Sequence, residues 1–193
     1  MEEHDGIRPR LNFEQAAPAD SAGDKEMANL VFIGDSLIEY YDWADRFAEH
    51  RVSNLGRSGE TVEELLARLP AVIQRLEQPD FIFIMSGTNN VAMEDSGFIA
   101  SYREMIGRLQ TAFPAARIVI HSLPPIVLPW FNPALVDQAN VRIRELANGT
   151  GAGFSDLNAI FEQAGTGHCL VADGVHISDH GYRLWSAAVA EML

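Results

Sequence analysis

A serine, a histidine and an aspartate in this sequence have settings that suit nucleophilic catalysis. Ser36 follows Gly34 and Asp35 directly after a short apolar run, and Asp173 precedes His176 by three residues near the C-terminus. A serine hydroxyl attacks a carbonyl when a base removes its proton, and histidine titrates near neutral pH. A carboxylate beside the imidazole fixes its tautomer and stabilises its charged form. We therefore expect Ser36 to be the nucleophile, His176 the general base and Asp173 the orienting acid.

Two further loops contain hydrogen-bond donors for a negatively charged oxygen. Attack on an ester carbonyl places negative charge on its oxygen, so donors must already point at that position. Residues 54–59 include a glycine at position 56, where the backbone can approach closely, and Asn89 offers two uncharged N–H groups. We expect the N–H groups of Ser36 and Gly56 and the side-chain amide of Asn89 to form an oxyanion hole.

Each loop alone is an ordinary turn, so the prediction depends on the elements that bring the loops together. From residue 29 onward, β-branched or aromatic runs alternate with helical patterns, which is typical of a parallel sheet covered by helices on both faces. The candidate strands are residues 30–33, 51–55, 81–85, 117–121 and 153–156. In a doubly wound sheet, ligands bind where the carboxyl ends of the strands open into loops. The serine, glycine and asparagine loops follow the first three strands.

Apolar residues at three- and four-residue spacing predict the helices between these strands. One stripe covers residues 62–76, with Thr61 and Glu64 as a capping box at its start. A second stripe covers residues 98–113 and is followed by a proline, which cannot continue a helix. Ser178 is expected to cap a terminal helix.

The composition excludes some classes of binding partner and indicates the cellular compartment of the protein. Lys and Arg total 14 against 27 Asp and Glu, and the formal net charge of -13 would repel a phosphate backbone, so we expect no nucleic-acid partner. The longest apolar run, residues 81–85, is far shorter than the ~20 residues that a membrane-spanning helix needs. A single cysteine, Cys169, is typical of a reducing compartment. Because the first residues do not resemble a secretory signal, we expect a cytoplasmic protein.

The length of 193 residues suits one domain. We expect residues 1–28, which are rich in acidic side chains, to form an N-terminal arm or tail. Residues 29–193 are expected to form a single catalytic domain. Homodimerisation through an exposed helix or the arm is an open alternative.

Four residues near the predicted site have competing interpretations. His176 and His180 are four residues apart, a spacing found in zinc sites, but no third ligand at a recognisable spacing accompanies them. We therefore expect no metal ion. His121 is expected to be a hydrogen-bonded, semi-buried side chain, and Asp35 is expected to hold the loop around the nucleophile.

An apolar loop, residues 124–131, follows the fourth predicted strand. It contains three prolines, too many for a helix or a central strand. The loop either covers the core or forms a wall for an acyl chain at the ligand side of the sheet. The side chains expected to contact substrate are Ile126, Val127, Leu128 and Trp130.

In their order along the chain, these motifs resemble those of the SGNH (GDSL) hydrolase superfamily. The motifs are Gly-Asp-Ser-Leu at 34–37, Gly-Thr-Asn-Asn at 87–90 and Asp-Gly-Val-His at 173–176. The four signature residues would be Ser36, Gly56, Asn89 and His176. Where many members have an acid, this chain has Asn90, which looks like the platelet-activating-factor acetylhydrolase branch. The resemblance extends from about residue 29 to the C-terminus.

The resemblance implies a three-layer, flavodoxin-like α/β sandwich with a five-stranded parallel sheet. It also implies a serine esterase that needs neither metal nor cofactor and forms an acyl-enzyme on Ser36. The expected substrate is a lipid-like or short acyl ester, as in lysophospholipases and acetylhydrolases. Two alternatives are a carbohydrate O-acetylesterase and a catalytically silent binding module that has kept the loops.

Overall fold

The structure, a computed structural model, describes residues 27–193, so most of the expected N-terminal arm lies outside the described residues. The strands are β1 (Asn29–Gly34), β2 (Arg51–Gly56), β3 (Phe81–Met85), β4 (Arg117–His121) and β5 (Gly153–Ser155). The helices are α1 (Ser36–Glu39), α2 (Trp43–Arg46), α3 (Val62–Arg75), α4 (Thr88–Ala92), α5 (Ile99–Ala112), α6 (Ala134–Thr150), α7 (Leu157–Ala164), α8 (Thr166–Cys169) and α9 (Asp179–Ala190).

All five strands are parallel and lie in the order β2-β1-β3-β4-β5. This is the flavodoxin-like arrangement expected from the sequence, and its strand order reverses between β1 and β3. Ser36 begins α1 two residues after β1, and Asn89 lies in α4 just beyond β3. The switch point of the sheet therefore brings the predicted nucleophile and the predicted oxyanion-hole asparagine to the same crevice.

The two central strands, β1 and β3, are covered on both faces. From Leu30 onward every residue of these strands is buried, although successive side chains point to opposite faces of the sheet. On one face, the Phe32 ring stacks on Trp43 of α2 at 4.1 Å between ring centroids. The indole of Trp185 from α9 meets Trp43 edge-on at 5.0 Å. This aromatic cluster joins the first helices of the chain to the last one.

The long helices follow the apolar periodicity closely. The capping box of α3 is confirmed, since the Glu64 N–H donates to Thr61 Oγ1 and the Thr61 N–H donates to the Glu64 carboxylate. Ser178 caps α9 by accepting the Gly181 N–H. The sequence did not predict α1 and α4, because four or five residues are too few to show a helical period. Among residues 27–193, no helix has the length and apolar character needed to cross a bilayer.

His121 differs from its sequence-based interpretation. Its side chain is completely buried at the end of β4, between the rings of Phe83 and Trp185. Neither ring nitrogen has a hydrogen-bond partner among the described residues. Burial lowers the pKa of His121 to about 3, so the residue stays neutral. The His121 ring packs in the core as an aromatic side chain and is not hydrogen-bonded to another described residue as the sequence suggested.

We expect the free energy of unfolding of His121→Leu to fall less than that of the wild type when the pH is lowered from 6.5 towards 3. The unfolded residue binds a proton near the ordinary pKa of 6.5, whereas the folded residue stays neutral down to about pH 3. Between these values the unfolded state binds more protons, so wild-type stability falls as pH drops, and the variant lacks this loss. Urea unfolding at several pH values measures the effect. His168→Leu, at an exposed position, is the control; parallel curves for His121→Leu and the wild type would contradict the prediction.

Candidate active site

Ser36 is the first residue of α1, at the carboxyl end of β1. Asp35 is the N-cap of this short helix, and its Oδ1 accepts the Leu37 N–H at 3.0 Å. The first helical residue has no acceptor within its own helix, so the Ser36 N–H is available to a ligand. Asp35 is fully buried, and this burial raises the pKa of its carboxyl to about 7. Asp35 therefore holds the turn that presents Ser36.

Asp173 and His176 form a hydrogen-bonded pair in the loop before α9. The distance from His176 Nδ1 to Asp173 Oδ2 is 2.7 Å, and Asp173 Oδ1 accepts the N–H groups of Val175 and His176 at 2.9 Å each. The Val175 N–H and the His176 ring hold the pKa of the Asp173 carboxyl at about 2. Because the carboxylate is ionised at neutral pH, it favours a proton on Nδ1 and leaves Nε2 able to act as a base.

Two contacts bring the His176 loop to the nucleophile helix. The Tyr182 hydroxyl of α9 donates to the backbone oxygen of Leu37 at 2.9 Å. The Tyr40 ring, one residue beyond α1, lies 5.3 Å from the His176 ring between centroids. The Ser36 hydroxyl makes no hydrogen bond with another described residue, so its bond to His176 is not formed in this conformation. Such bonds commonly tighten only when substrate is bound.

Gly56 has a different role from the one expected from the sequence. Its N–H donates to Asn54 Oδ1 at 3.0 Å, so this donor already has an acceptor. A Cβ atom at this position would lie 2.3 Å from the backbone nitrogen of Glu39. Gly56 is thus required for the close packing of α1 against β2, and its N–H is not the free oxyanion donor that we expected.

Gly59 is a donor that the sequence reasoning missed. In residues 56–60 the other four N–H groups donate to Asn54 Oδ1, Gly34 O, Glu39 Oε2 and Arg57 O. The Gly59 N–H has no acceptor among the described residues, and its φ of 75° is in the left-handed region that favours glycine. The available signal was a second glycine shortly before the α3 capping box.

Asn89 lies beside this loop. Its Nδ2 donates one hydrogen to the backbone oxygen of Glu60 at 2.9 Å. An amide nitrogen carries two hydrogens, so the second remains available to a ligand. The bond places Asn89 next to Gly59, and together with the Ser36 N–H these groups give three donors on neighbouring loops.

Asn90 explains the departure from the acid that is common in the resembling family. Its side chain is buried, and its Oδ1 accepts the N–H of Val62, the first residue of α3, at 3.0 Å. Its Nδ2 donates to Glu63 Oε2 and Asp95 Oδ2, each at 2.8 Å. The amide thereby lowers the pKa of Asp95 below its usual range. A carboxylate could not supply these two donated hydrogens.

The apolar loop lies against the loop that carries Asp173 and His176. The Val127 N–H donates to the backbone oxygen of Gly174 at 2.7 Å. Ile126 is buried in the core, and Leu128 is half-buried against it. Val127 and Trp130 are 57% and 81% exposed, so of the four predicted contact residues these two remain open to a ligand.

Among residues 27–193, no group of three or more His, Cys, Asp or Glu side chains could hold a metal ion. His176, one of the two histidines in the zinc alternative, is bonded through Nδ1 to Asp173. Cys169, the lone cysteine, is buried, with burial raising the pKa of its thiol.

We expect Asn90→Asp to destabilise the protein by about 2 to 4 kcal/mol, because it removes two hydrogen bonds to carboxylates and adds a third negative charge between Glu63 and Asp95. Thermal or urea unfolding at pH 7 measures the loss. Asn158→Asp is the matched control, since Asn158 donates to a single carboxylate, that of Glu162, in an exposed bond. Equal effects of the two substitutions would show that the Asn90 bridge is not needed.

Comparison with known proteins shows the family to which the chain belongs. Residues 32–184 match the GDSL-like Lipase/Acylhydrolase family. The alpha1 subunit of platelet-activating factor acetylhydrolase IB from Rattus norvegicus is 28% identical over 173 residues, which cover 82% of this chain and 72% of that protein. The human alpha2 subunit is 29% identical over 130 residues, which cover 64% of this chain and 54% of that protein.

Solved structures show the same fold. A putative platelet activating factor protein from Streptococcus pneumonia superposes with a TM-score of 0.77 at 24% identity, over 86% of this chain and 84% of that one. Axe2, an acetylxylan esterase from Geobacillus stearothermophilus, gives a TM-score of 0.71 at 22% identity, over 85% of this chain and 93% of that one. The chain belongs to the GDSL-like lipase/acylhydrolase family and is a carboxylic ester hydrolase.

Proposed function

We propose that this protein hydrolyses esters through an acyl-enzyme formed on Ser36, with His176 as the base and Asp173 as its partner. The observation that carries the proposal is the 2.7 Å bond between His176 Nδ1 and Asp173 Oδ2, on a loop fastened to the helix that presents Ser36. This bond orients the imidazole and favours the tautomer whose proton is on Nδ1, so that Nε2 faces away from Asp173. The buried thiol of Cys169 is compatible with the cytoplasmic location expected from the sequence.

The reaction has two steps. In the first, Ser36 Oγ attacks the ester carbon while its proton passes to His176 Nε2, and the alcohol then leaves with that proton. In the second, water attacks the acyl-enzyme, gives a proton to the same nitrogen and releases the acid as Ser36 recovers its hydrogen. Both steps place negative charge on the carbonyl oxygen. We assign the stabilisation of this charge to the N–H groups of Ser36 and Gly59 and to the second amide hydrogen of Asn89.

For the acyl group we propose a short chain, with acetyl as the first choice. The apolar wall is smaller than the sequence suggested, because Ile126 is buried in the core and Leu128 is half-buried. Val127 and Trp130 remain, and we assign them to the alcohol part of the ester. The names of the relatives support this choice, since one is a platelet-activating factor acetylhydrolase and one fold neighbour is an acetylxylan esterase. An acetylated carbohydrate is the second candidate, since an exposed indole can stack on a sugar ring.

We expect Ser36→Ala to abolish ester hydrolysis and Asp173→Asn to lower kcat by about 10⁴-fold, because the asparagine favours the wrong histidine tautomer. Hydrolysis of nitrophenyl acetate and labelling by a fluorophosphonate, located by peptide mass spectrometry, measure both effects. Ser96→Ala, at an exposed serine, is the control. Turnover by folded Ser36→Ala would remove the nucleophile assignment. Absence of labelling in the folded wild type would favour the silent binding module.

Across nitrophenyl esters from C2 to C12, we expect kcat/KM to be highest for the shortest acyl groups. Each methylene that an apolar groove buried would instead add about 0.8 kcal/mol of binding, so a rise with chain length would restore the lipid-like acyl substrate. We expect Trp130→Ala to raise KM for naphthyl acetate more than for ethyl acetate. Val141→Ala, at an exposed apolar position on α6, is the control for loss of surface area.

A further inference from the structure

A buried ion pair lies directly behind residues 56–60. The Glu60 side chain is 2% exposed and meets the Arg68 guanidinium through two bonds, Nε to Oε1 at 2.5 Å and Nη2 to Oε2 at 2.6 Å. Burying a carboxylate is costly unless it is paired and fully hydrogen-bonded. The two-pronged geometry is what an arginine, and not a lysine, provides.

The same guanidinium also holds the other end of the loop. Arg68 Nη2 donates to the backbone oxygen of Leu55 at 2.8 Å, one residue before the end of β2. Arg68 projects from α3, whose first turn is fixed by the Thr61–Glu64 capping box. One side chain therefore closes residues 56–60 by binding both the strand that enters the loop and the last residue of the loop.

The main chain of Glu60 connects this clamp to the oxyanion donors. Its backbone oxygen accepts the Asn89 amide at 2.9 Å, and its neighbour in the chain is Gly59. We propose that Glu60 and Arg68 are positioning residues that set the Gly59 N–H and the Asn89 amide for the developing oxyanion. The inference rests on the proposed function, which assigns those two donors.

The Glu60–Arg68 ion pair can affect the turnover rate both through the geometry of the loop and through its charges. Donors stabilise a transition state when they are held in place beforehand, and a shift of about 1 Å can cost 100-fold in rate. Burial is the main cause of the raised pKa of Asp35 beside the nucleophile, and the Glu60 charge adds a small further rise. An unpaired Glu60 carboxylate would oppose negative charge on the substrate. Arg57 cannot replace Arg68, because it is 69% exposed and 4.0 Å from Glu60 Oε1.

Arg68→Lys is the primary test, because it keeps the positive charge but cannot bind Glu60 and Leu55 with one planar group. We expect kcat for nitrophenyl acetate to fall by about 10- to 100-fold while KM changes by less than about threefold. Glu60→Gln is the second variant, since its amide oxygen still accepts from Arg68, and we expect a smaller fall in kcat. Arg108→Lys, which alters the exposed Arg108–Glu104 pair on α5, is the matched control and should leave kcat unchanged. Thermal unfolding confirms that each variant is folded.

A double-mutant cycle with Asn89→Ala separates positioning from general stability. If Arg68 acts through Asn89, Arg68→Lys in the Asn89→Ala background should cost much less than it costs alone, since residues that act as a unit are not additive. A cost that is fully additive, or unchanged kcat in folded Arg68→Lys and Glu60→Gln, would overturn the inference.

The cycle also distinguishes this inference from the proposed function. Full turnover by Asn89→Ala would remove Asn89 from the oxyanion hole, and the inference would fail with that assignment. A strong loss in Asn89→Ala together with wild-type kcat in Arg68→Lys would leave the proposed function in place and remove only the ion pair.

Discussion

Parallel strands end at the same edge of a sheet, and the proposed active site depends on this constraint. Ser36 follows β1, the Gly59 loop follows β2 and Asn89 follows β3, so three groups reach one crevice without any long connection. The histidine has no such strand to place it. Its loop is instead fastened by Tyr182 to α1 and by Gly174 to the apolar loop after β4.

Hydrogen bonds between loops turn this shared edge into a defined site. The Glu60 backbone oxygen joins the second loop to the third through Asn89, and Asn90 joins the same two segments through the first N–H of α3. The protein carries a net charge of -13, yet two carboxylates near the site, those of Glu60 and Asp173, have partners. Glu60 meets Arg68 and Asp173 meets His176. Paired carboxylates orient neighbouring groups, whereas unpaired ones would oppose an oxyanion.

Sequence patterns predicted the sheet and the helices α3, α5 and α9. The runs at 81–85 and 117–121 coincide with β3 and β4, and the Thr61 capping box marks the first turn of α3. These features depend on local residue types, which the sequence displays directly. His121 was misjudged because its burial between Phe83 and Trp185 depends on contacts across three separate elements. The short helices were missed because four or five residues are too few to show a helical period.

The sequence by itself determined which residue types could do the chemistry. A serine and an asparagine after predicted strands and an Asp-x-x-His motif near the C-terminus are together typical of ester hydrolysis. Only the tertiary structure decided which backbone donors remain available. Gly56 and Gly59 are the same residue type, three positions apart, so the sequence does not distinguish their N–H groups. Folding gives the Gly56 N–H an acceptor in Asn54 and leaves the Gly59 N–H without one among the described residues. The physical reason is that a hydrogen bond needs a partner at the right distance and angle, and such partners come from residues far along the chain.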